Sequence, residues 1–395
     1  MFQTIPAYPG DPILTLNERF GADPRADKVN LSIGVYLDDA GRIPVMAAVK
    51  AAQDQVSALV PHPYLPMEGN RAFCAQVQAL VFGQDSAARA EGAITTVQTL
   101  GGSGALKVGA DFLQRYFAGA SVLLSDPTWD NHQAIFEAAG FTVQRYPYFD
   151  PATRGLAHAA MLARLEQAQA GTVVVLHACC HNPTGVDPTA EQWQAILEVV
   201  VRRKLVPFFD IAYQGFGQGI EEDAYAVRLF AQQGVSMFVA SSFSKNFALY
   251  GERCGALSVR CPDAAQAQLV LGQMKSTIRQ NYSSPPAFGV DLITRVLSDE
   301  GLRGVWRDEV DAMRARILAV RTALYDALKA RKPAGDFDYI IRQTGMFTYT
   351  GLSAAQAVAL RDEHGVYVLE SGRVCMAALS LDRVDRVASA IVAVL

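Results

Sequence analysis

The sequence predicts an α/β protein built around a mostly parallel β-sheet, with a second, smaller α+β domain. Short apolar runs recur between residues 93 and 261, and segments with helical periodicity lie between several of them. Strands that alternate with helices are typical of parallel sheets. The chain has 395 residues, which exceeds the usual size of one compact core and therefore favours two domains.

Six apolar runs are the candidate strands of the large domain, and each ends in a polar residue or a turn. They are AITTVQT (93–99), SVLLSDP (121–127), TVVVLHACC (172–180), LVPFFDIAY (205–213), SMFVASS (236–242) and GALSVRC (255–261). Helical periodicity is evident at 105–117 and 190–201. We assign residues 45–300 to this domain, in which ligands are expected beyond the carboxyl ends of the strands.

A long amphipathic segment at 307–330 predicts a helix that leaves the large domain. After it come strand-like FDYII and MFTYT, a helix at SAAQAVALRDEHG, strands VYVL and RVCMAAL, and a final helix through Leu395. We assign residues 301–395 to the small α+β domain. Residues 1–44 are expected to form an amino-terminal arm and to complete this domain.

Composition and charge exclude several classes of protein. Half of the residues are hydrophobic and 19% are charged, as in an ordinary soluble enzyme. The net charge is −4 and there is no basic tract, so nucleic acid is not an expected partner. The start of the sequence lacks the pattern of a signal peptide, and no apolar run approaches the ~18 residues of a membrane span. We expect a cytoplasmic protein.

The six cysteines form no spaced framework, which favours reduced thiols over disulfides. Two of them lie in the cluster HACCH, which resembles a set of metal ligands. If the preceding TVVVL is a strand, its side chains alternate between faces, so that Cys179 and Cys180 point apart and cannot readily share one ion. The sequence therefore predicts no metal site.

Lys245 stands in SSFSKNFALYGER, where its near neighbours are serines, aromatic residues and aliphatic residues rather than charges. A partly desolvated lysine loses its proton more readily and becomes a nucleophile toward carbonyl compounds. The ordinary alternative is a surface lysine on a loop.

A glycine-rich turn, TLGGSGA, follows the first candidate strand and precedes a helix. Glycines allow the backbone amides at the positive end of a helix to approach an anion such as a phosphate. The spacing is not that of the dinucleotide-binding fingerprint G-x-G-x-x-G. An unremarkable strand-to-helix turn remains the alternative.

Polar or aromatic groups follow three other candidate strands. Trp129 could cover a flat ring, Asn182 offers an amide donor, and Tyr213 offers a phenol. Asp210 ends a very apolar run, where a carboxylate requires a cationic partner. Core packing, a turn and a helix N-cap are the ordinary roles of such residues. Together with the glycine turn and Lys245, however, they indicate a phosphorylated aromatic aldehyde, which is the chemistry of pyridoxal phosphate.

Ordered motifs along essentially the whole chain carry a resemblance to a known family. They are GDPILTLNERF, NLSIGVY, YLPMEG, TLGGSGALKVGADF, SDPTW, CCHNPTG, DIAYQGFG, SFSKNFALYGER, NYSSPP, GMFTYTGL and SGR. The chain resembles the fold-type I, class I aminotransferases, specifically the bacterial aromatic amino acid (tyrosine) aminotransferases related to aspartate aminotransferase. The resemblance implies a large domain that binds pyridoxal phosphate on a mostly parallel seven-stranded sheet, and a homodimer with shared active sites.

The resemblance also implies catalytic roles. Lys245 would bind the cofactor aldehyde and then move the proton at the substrate Cα. Asp210 would keep the pyridine nitrogen protonated, with His132 supporting it from behind. Tyr213 and Asn182 would donate to the phenolate oxygen of the cofactor.

Further residues are assigned to the cofactor and the substrate by the same resemblance. The cofactor ring would stack on Trp129, and its phosphate would be held by Gly102, Ser103, Gly104, Ser242, Ser244, Arg253 and Tyr64 of the neighbouring subunit. Substrate would contact Gly34, Trp129, Asn182, Arg279 and Arg373. Arg373 would anchor the α-carboxylate, and Arg279 from the other subunit would pair with a distal carboxylate.

The expected reaction is ping-pong transfer of an amino group between aromatic L-amino acids (tyrosine, phenylalanine, tryptophan) or aspartate and glutamate, and 2-oxoglutarate. Leu37, Ser103 and Ser284 replace a lysine, a threonine and an asparagine that are frequent in aspartate enzymes, which favours the aromatic subgroup. The alternatives are a mainly aspartate-specific aminotransferase, and a β-lyase or decarboxylase using the same cofactor. A transcription regulator on this fold is a distant alternative, because no basic winged-helix segment precedes Asn30.

Overall fold

The computed structural model describes residues 2–7, 10–56, 63–117 and 119–395. They form two compact units, of which one comprises Pro44–Arg316 and the other combines Met1–Ile43 with Ile317–Leu395. The domain bounds predicted from the sequence, 1–44, 45–300 and 301–395, stay a prediction.

The strands are, in chain order, β1 (Val29–Asn30), β2 (Ile94–Leu100), β3 (Ser121–Asp126), β4 (Thr142–Pro147), β5 (Phe149–Asp150), β6 (Gly155–Leu156), β7 (Val173–His177), β8 (Val206–Ile211), β9 (Met237–Ser242), β10 (Cys254–Arg260), β11 (Phe347–Tyr349), β12 (Val366–Tyr367) and β13 (Arg373–Cys375). Seven of them form the central sheet in the order β2-β10-β9-β8-β7-β3-β4. Strand β10 runs antiparallel to the other six strands of this sheet, which are parallel to one another. The predicted α/β fold with a mostly parallel seven-stranded sheet is confirmed.

The helices are α1 (Pro12–Ala22), α2 (Ala47–Gln55), α3 (Arg71–Phe82), α4 (Ala87–Ala90), α5 (Gly101–Tyr116), α6 (Asp130–Ala138), α7 (His158–Glu166), α8 (Ala190–Arg203), α9 (Tyr225–Gln232), α10 (Ala264–Asn281), α11 (Phe288–Ser298), α12 (Glu300–Arg331), α13 (Tyr339–Arg342), α14 (Ala354–His364) and α15 (Val384–Val394). Short 3₁₀ helices occur at Phe2–Thr4, Glu222–Ala224, Tyr250–Glu252, Met376–Ala378 and Leu381–Arg383. Within the described ranges, no helix is both long and apolar enough to cross a bilayer.

The structure corrects several predicted elements. The sequence analysis did not find β4, because this edge strand is half exposed and its sequence, TVQRYP, contains no apolar run. FDYII was predicted to be a strand, but Tyr339–Arg342 forms a helical turn whose Ile340 carbonyl accepts a hydrogen bond from Arg321. The long helix begins at Glu300 rather than at residue 307.

The central sheet is rigid because apolar side chains from neighbouring strands pack with α5. Val97, Val173, Phe208 and Leu257 are buried and belong to one hydrophobic cluster. Gly109 of α5 lies so close to the sheet that a Cβ atom there would be 2.5 Å from Cζ of Phe208. This packing fixes the ends of the strands, where the polar residues are located.

The unit that contains the carboxyl terminus is organised around a buried arginine. Arg321 of α12 is 1% exposed. Its guanidinium donates to the carbonyls of Ile340 (2.8 Å) and Gly345 (2.9 Å), to that of Phe347, and to the hydroxyl of Thr348 (2.6 Å). One side chain thus holds the turn after α13 and strand β11 against the long helix.

Substitution of Arg321 by methionine should destabilise the protein strongly. Several buried carbonyls would lose their donor, and each unsatisfied group costs about 1–3 kcal/mol. We expect a loss of about 3 kcal/mol or more in the free energy of unfolding, measured by denaturant titration. Arg331→Met on the same helix is the control, because its pair with Asp385 is partly exposed and should contribute about 1 kcal/mol or less. Equal losses for both variants would contradict this role of Arg321.

Candidate active site

The strand ends of the central sheet gather the predicted site residues of the large unit. β2, β3, β7, β8 and β9 run in the same direction and therefore end at one edge, whereas the antiparallel β10 begins there. Cys254 of β10 is paired with Leu100, and Gly255 with Ser242. Arg253, which directly precedes β10, is therefore placed beside both the start of α5 and the end of β9.

The glycine segment lies inside the first turn of α5 rather than in a loop before it. The helix begins at Gly101, so that the amides of Gly101 and Gly102 lie in its first turn, where backbone N–H groups have no acceptor within the helix. A Cβ atom on Gly101 would lie 2.6 Å from Nη2 of Arg253, and one on Gly102 would lie 3.1 Å from Cβ of Ser242. Nη1 of Arg253 donates to the hydroxyl of Ser244 at 3.4 Å.

These groups form an anion pocket. Amides at a helix N-terminus, a guanidinium and two serine hydroxyls are all donors, and the helix dipole adds positive potential. The absence of side chains at Gly101 and Gly102 allows Arg253 and Ser242 to approach the first turn of α5 closely. A phosphate group fits this chemistry. Ser103 and Gly104, also predicted for this pocket, lie in the same helical turn and are half-buried.

Asp210 is a buried carboxylate near the end of β8. Nε2 of His132, in the first turns of α6, lies 2.9 Å from its Oδ2. Burial alone would raise the pKa of the Asp210 carboxyl, but the hydrogen bond from His132, together with smaller electrostatic contributions from neighbouring groups, outweighs it and lowers the pKa. Asp210 is therefore ionised at neutral pH.

A chain of hydrogen bonds orients the His132 donor. The backbone N–H of Asn182 donates to Nδ1 of His177 (3.0 Å), and burial lowers the pKa of His177 to about 3, so this ring is neutral and carries its proton on Nε2. That proton points to Oγ1 of Thr128 (3.4 Å), whose own hydroxyl lies 2.8 Å from Nδ1 of His132. Every hydrogen finds an acceptor when Thr128 donates to His132 and His132 donates to Asp210.

Thr128 and His177 were not among the predicted site residues. Both belong to motifs that the sequence analysis quoted, but nothing local indicates that their side chains meet. The structure brings them together because the end of β7 pairs directly with β8, with His177 opposite Asp210. Only the sheet register reveals this relationship.

Lys245, Tyr213 and Asn182 converge beside Asp210. Nζ of the half-buried Lys245 lies 4.8 Å from the centroid of the Tyr213 ring. The Asn182 amide is 3.4 Å from the Tyr213 hydroxyl and donates to it. The structure thus places a primary amine, a phenol and an amide close together at one edge of the sheet.

A tryptophan that the sequence analysis missed fixes the backbone around Lys245. Nε1 of Trp306 donates to the carbonyl of Asn246 at 2.7 Å, and its ring stacks on Phe247 with centroids 4.8 Å apart. The amide of Asn246 also donates to the carbonyl of Gln214, at 3.2 Å. The lysine segment is therefore tied to α12 and to the loop that carries Tyr213.

Trp129 stands at the start of α6, half-buried, with its ring 5.3 Å from that of His132 in an edge-to-face arrangement. Two further predicted residues of this unit, Arg279 and Tyr64, are exposed. Arg279 lies in the last turn of α10 and hydrogen-bonds Ser283, and Tyr64 is 96% exposed. Ser284 is half-buried in the turn after α10.

In the other unit, Arg373 and Gly34 both lie against the ring of Phe347. Arg373 is 4% exposed, donates from Nη2 to the carbonyl of Ser32 at 2.7 Å, and lies 4.4 Å from the ring centroid. A Cβ atom on Gly34 would be 3.0 Å from Cζ of the same ring. The guanidinium is thus held in a fixed orientation. Leu37 is half-buried, and its amide bonds the carbonyl of Ala377.

Comparison with known proteins identifies the family. Residues 26–391 match the family model for aminotransferase class I and II. The chain belongs to this aminotransferase family. The family that the motifs indicated is therefore confirmed.

Relatives of this aminotransferase are similar to it over their full length. A tyrosine aminotransferase of Klebsiella pneumoniae is 54% identical, and an aspartate aminotransferase of Pseudomonas aeruginosa is 50% identical, each with complete coverage of both chains. A crystal structure of the aromatic-amino-acid aminotransferase from Burkholderia pseudomallei, covalently bound to pyridoxal phosphate, is 51% identical. Its TM-score is 0.98, and the match covers 100% of this chain and 99% of that one.

One prediction about side-chain direction was wrong in this aminotransferase. Cys179 and Cys180 were expected to point to opposite faces of a strand, but β7 ends at His177 and Cys180 has a left-handed φ of 50°. The two thiols therefore turn toward each other. A hydrogen bond with Cys180, together with burial, raises the pKa of the Cys179 thiol well above its usual value. All six cysteines are free and buried.

Replacement of His132 by phenylalanine should make this aminotransferase less stable in acid. Because the folded-state pKa of Asp210 is lowered, its charge contributes stability above its usual pKa, and this contribution is lost as the pH falls through the folded value. Without the His132 donor, that pKa rises. We expect about 1–3 kcal/mol less stability at neutral pH and an acid-unfolding midpoint at higher pH.

The measurement is the free energy of unfolding as a function of pH. His364→Phe is the control, because His364 lies in the last turn of α14 in the other unit. A parallel downward shift of the His132→Phe curve, without a change in its pH dependence, would contradict the assigned coupling to Asp210.

Proposed function

We propose that this protein is a pyridoxal-phosphate-dependent aminotransferase. It transfers amino groups between aromatic L-amino acids (tyrosine, phenylalanine, tryptophan) or aspartate and glutamate, and 2-oxoglutarate, in a ping-pong cycle. The observation that carries the proposal is the position of Lys245 beside Tyr213 and Asp210, at the sheet edge that also bears the anion pocket. The names of the relatives support both substrate classes.

The residues at this edge fit the cofactor. The anion pocket at the start of α5 matches the phosphate, and the carboxylate of Asp210 matches a protonated pyridine nitrogen. Asn182 and Tyr213 supply donors for the phenolate oxygen, and Trp129 supplies a ring face. When bound, pyridoxal phosphate acts as an electron sink that makes the proton on the substrate Cα acidic.

The carboxylate of Asp210 stays negatively charged although it is buried. Its lowered pKa keeps the carboxylate ionised, so that it can hold a proton on a ring nitrogen opposite to it. The hydrogen-bond chain behind His132 leaves no alternative direction for the imidazole N–H. The charge is therefore oriented before any ligand arrives, and no reorganisation is required during the reaction.

Lys245 provides the amine that would accept the proton from the substrate Cα and return it to C4′ of the cofactor. A general base must lie within hydrogen-bonding reach of the proton that it moves. The contacts of Trp306 with Asn246 and Phe247 fix the backbone from which the lysine extends. The side chain itself keeps the freedom of its four methylene groups, which a proton shuttle between two atoms requires.

Two arginines account for the substrate classes. Arg373, held by Ser32 and Phe347, presents a guanidinium for an α-carboxylate. Arg279 and Tyr64 are exposed on a single chain, which is the position expected of residues that complete the site of a neighbouring subunit. The homodimer with shared sites and the cytoplasmic location belong to this proposal. A mainly aspartate-specific enzyme is the second candidate, supported by the aspartate aminotransferase at 50% identity.

Lys245→Ala should abolish transamination and leave cofactor binding in place. The anion pocket, Asp210 and Trp129 remain, whereas the general base and the amine that reacts with the aldehyde are lost. We expect single-turnover rates with tyrosine to fall by at least roughly 10²- to 10⁴-fold. Borohydride should link the cofactor covalently to the parent protein but not to the variant.

Lys107→Ala is the matched control for this experiment, since Lys107 pairs with Asp111 on the surface of α5. It should keep both activity and covalent linkage. If Lys245→Ala turned over tyrosine at the rate of the parent protein, the proposed function would be wrong.

Arg279→Leu should separate acidic from aromatic substrates. Loss of a charge-assisted contact to a distal carboxylate costs about 2–5 kcal/mol, which lowers kcat/KM for aspartate by roughly 30- to 4000-fold. Phenylalanine has no such carboxylate, so kcat/KM for phenylalanine should fall by about tenfold or less. Single half-reactions must be compared, because in the full cycle 2-oxoglutarate would hide the aromatic half.

Arg295→Leu serves as the control, since Arg295 is an exposed arginine of α11. This variant should change kcat/KM for either substrate by about twofold or less, as surface changes usually have small effects. Equal losses for aspartate and phenylalanine in Arg279→Leu would remove the support for dual specificity. A severe loss for phenylalanine alone would likewise contradict the assignment.

A further inference from the structure

Two thiols and one carboxylate form a cluster near the loops that carry residues of the candidate active site. The sulfur atoms of Cys179 and Cys180 and a carboxylate oxygen of Asp223 are all within 4.8 Å of one another, and all three residues are buried. The cysteines follow β7, and Asp223 lies in the 3₁₀ helix before α9. The cluster is separate from the residues assigned to the cofactor and the substrate.

The backbone holds the two thiols together. Asp187 accepts hydrogen bonds from the amides of Cys180 (2.7 Å) and His181 (2.9 Å), which stabilises the turn in which Cys180 adopts its left-handed conformation. Adjacent residues in a regular strand would direct their side chains apart. The turn is thus the reason that both sulfur atoms face Asp223.

Asp223 is a buried carboxylate that has no cationic partner. It accepts hydrogen bonds from the amides of Gly215 (2.8 Å), Gly217 (2.9 Å) and Gln218 (2.8 Å), which occupy three of its roughly four acceptor positions. Across residues 2–7, 10–56, 63–117 and 119–395, it forms no ion pair. A buried charge of this kind is ordinarily paired or bound to a cation.

A cavity adjoins the cluster and gives it a path to a ligand. Its volume is about 260 Å³, and Cys179, Asp187, Trp193, Gln218 and Asp223 contribute to its walls. A water molecule occupies roughly 30 Å³ of the liquid. The cavity therefore has space for an ion together with several waters.

We propose that Cys179, Cys180 and Asp223 form a binding site for a thiophilic divalent cation of the zinc and cadmium class. Two thiolates and one carboxylate with a water in the fourth position make a tetrahedral set that suits this class. On binding, both S–H bonds break and their protons leave to solvent, while two metal–sulfur bonds and one metal–oxygen bond form. No group is oxidised or reduced.

Occupation of this site should inhibit transamination, because the ligands belong to loops that carry active-site residues. The sulfur of Cys180 is 3.8 Å from the carbonyl of Tyr213, and Asn182 follows Cys180 by two positions. Metal binding removes the proton of the Cys180 thiol, and with it the hydrogen bond that this thiol donates to the carbonyl of Tyr213. The loop that carries Tyr213 therefore loses a contact, and a displacement of 1 Å at a reacting group can cost about 10²-fold in rate.

The test is a titration of the reduced, chelator-treated holoenzyme with Cd²⁺. Binding is followed by the thiolate-to-cadmium charge-transfer absorption and by the displaced protons, neither of which depends on catalysis. We expect one cadmium and two protons per chain, with a parallel loss of activity that a chelator reverses. Failure of the proposed function would leave this binding signal unchanged, so the two proposals can be distinguished.

Cys179→Ser and Asp223→Asn should each weaken cadmium binding by at least roughly 10- to 100-fold, as loss of even an outer partner of a metal does. Cys261→Ser, which alters a buried cysteine outside the cluster, should bind as the parent does. Anomalous diffraction from a cadmium-soaked crystal of the parent holoenzyme locates the ion even if a variant fails to fold. Cadmium elsewhere, or equal affinity in Cys179→Ser and Cys261→Ser, would overturn the proposal.

Discussion

The negative charge of Asp210, buried at the end of an apolar strand, is the constraint on which the site depends. A carboxylate in such a place survives only if a donor compensates for lost hydration. His132 is that donor, and its N–H is directed at Asp210 because its other nitrogen accepts from Thr128. The chain continues through His177 to the backbone of Asn182. One charge therefore specifies the orientation of residues in three separate segments.

The strand pairing of the central sheet sets the positions of both ends of the proposed cofactor site. The sheet places Asp210 opposite His177 and places the glycine turn of α5 beside β10. Because β10 runs against its neighbours, Arg253 at its beginning reaches the edge where the other strands end. The antiparallel strand thus brings the Arg253 guanidinium to the edge of the sheet where the anion pocket lies.

Loops behind the site are held by a second acidic residue, Asp187, whose carboxylate receives two consecutive amides. This turn positions Asn182 toward Tyr213 on one side and directs Cys179 and Cys180 toward Asp223 on the other. The geometry of catalysis and that of the thiol cluster therefore share one piece of backbone. The cation that we propose at the cluster would therefore act on the site through this shared turn.

The sequence by itself determined the fold class, the family and the chemical types of the site residues, because apolar periodicity and motif order are recorded in neighbouring positions. It also indicated that Asp210 needs a partner, since an apolar run surrounds it. Tertiary structure decided which partner. His132 and Asp210 lie 78 positions apart, and their hydrogen bond depends on the packing of α6 on the sheet.

The direction of each side chain near a strand end likewise depends on tertiary contacts. Cys180 does not follow the side-chain alternation of β7, because its amide donates a hydrogen bond to Asp187. The segment FDYII forms a helical turn, in which the Ile340 carbonyl accepts a hydrogen bond from Arg321. Edge strand β4 carries no apolar run because one side of it has no neighbour. Local sequence records the preferences of a segment, whereas hydrogen bonds from distant residues select the conformation in which buried polar groups are satisfied.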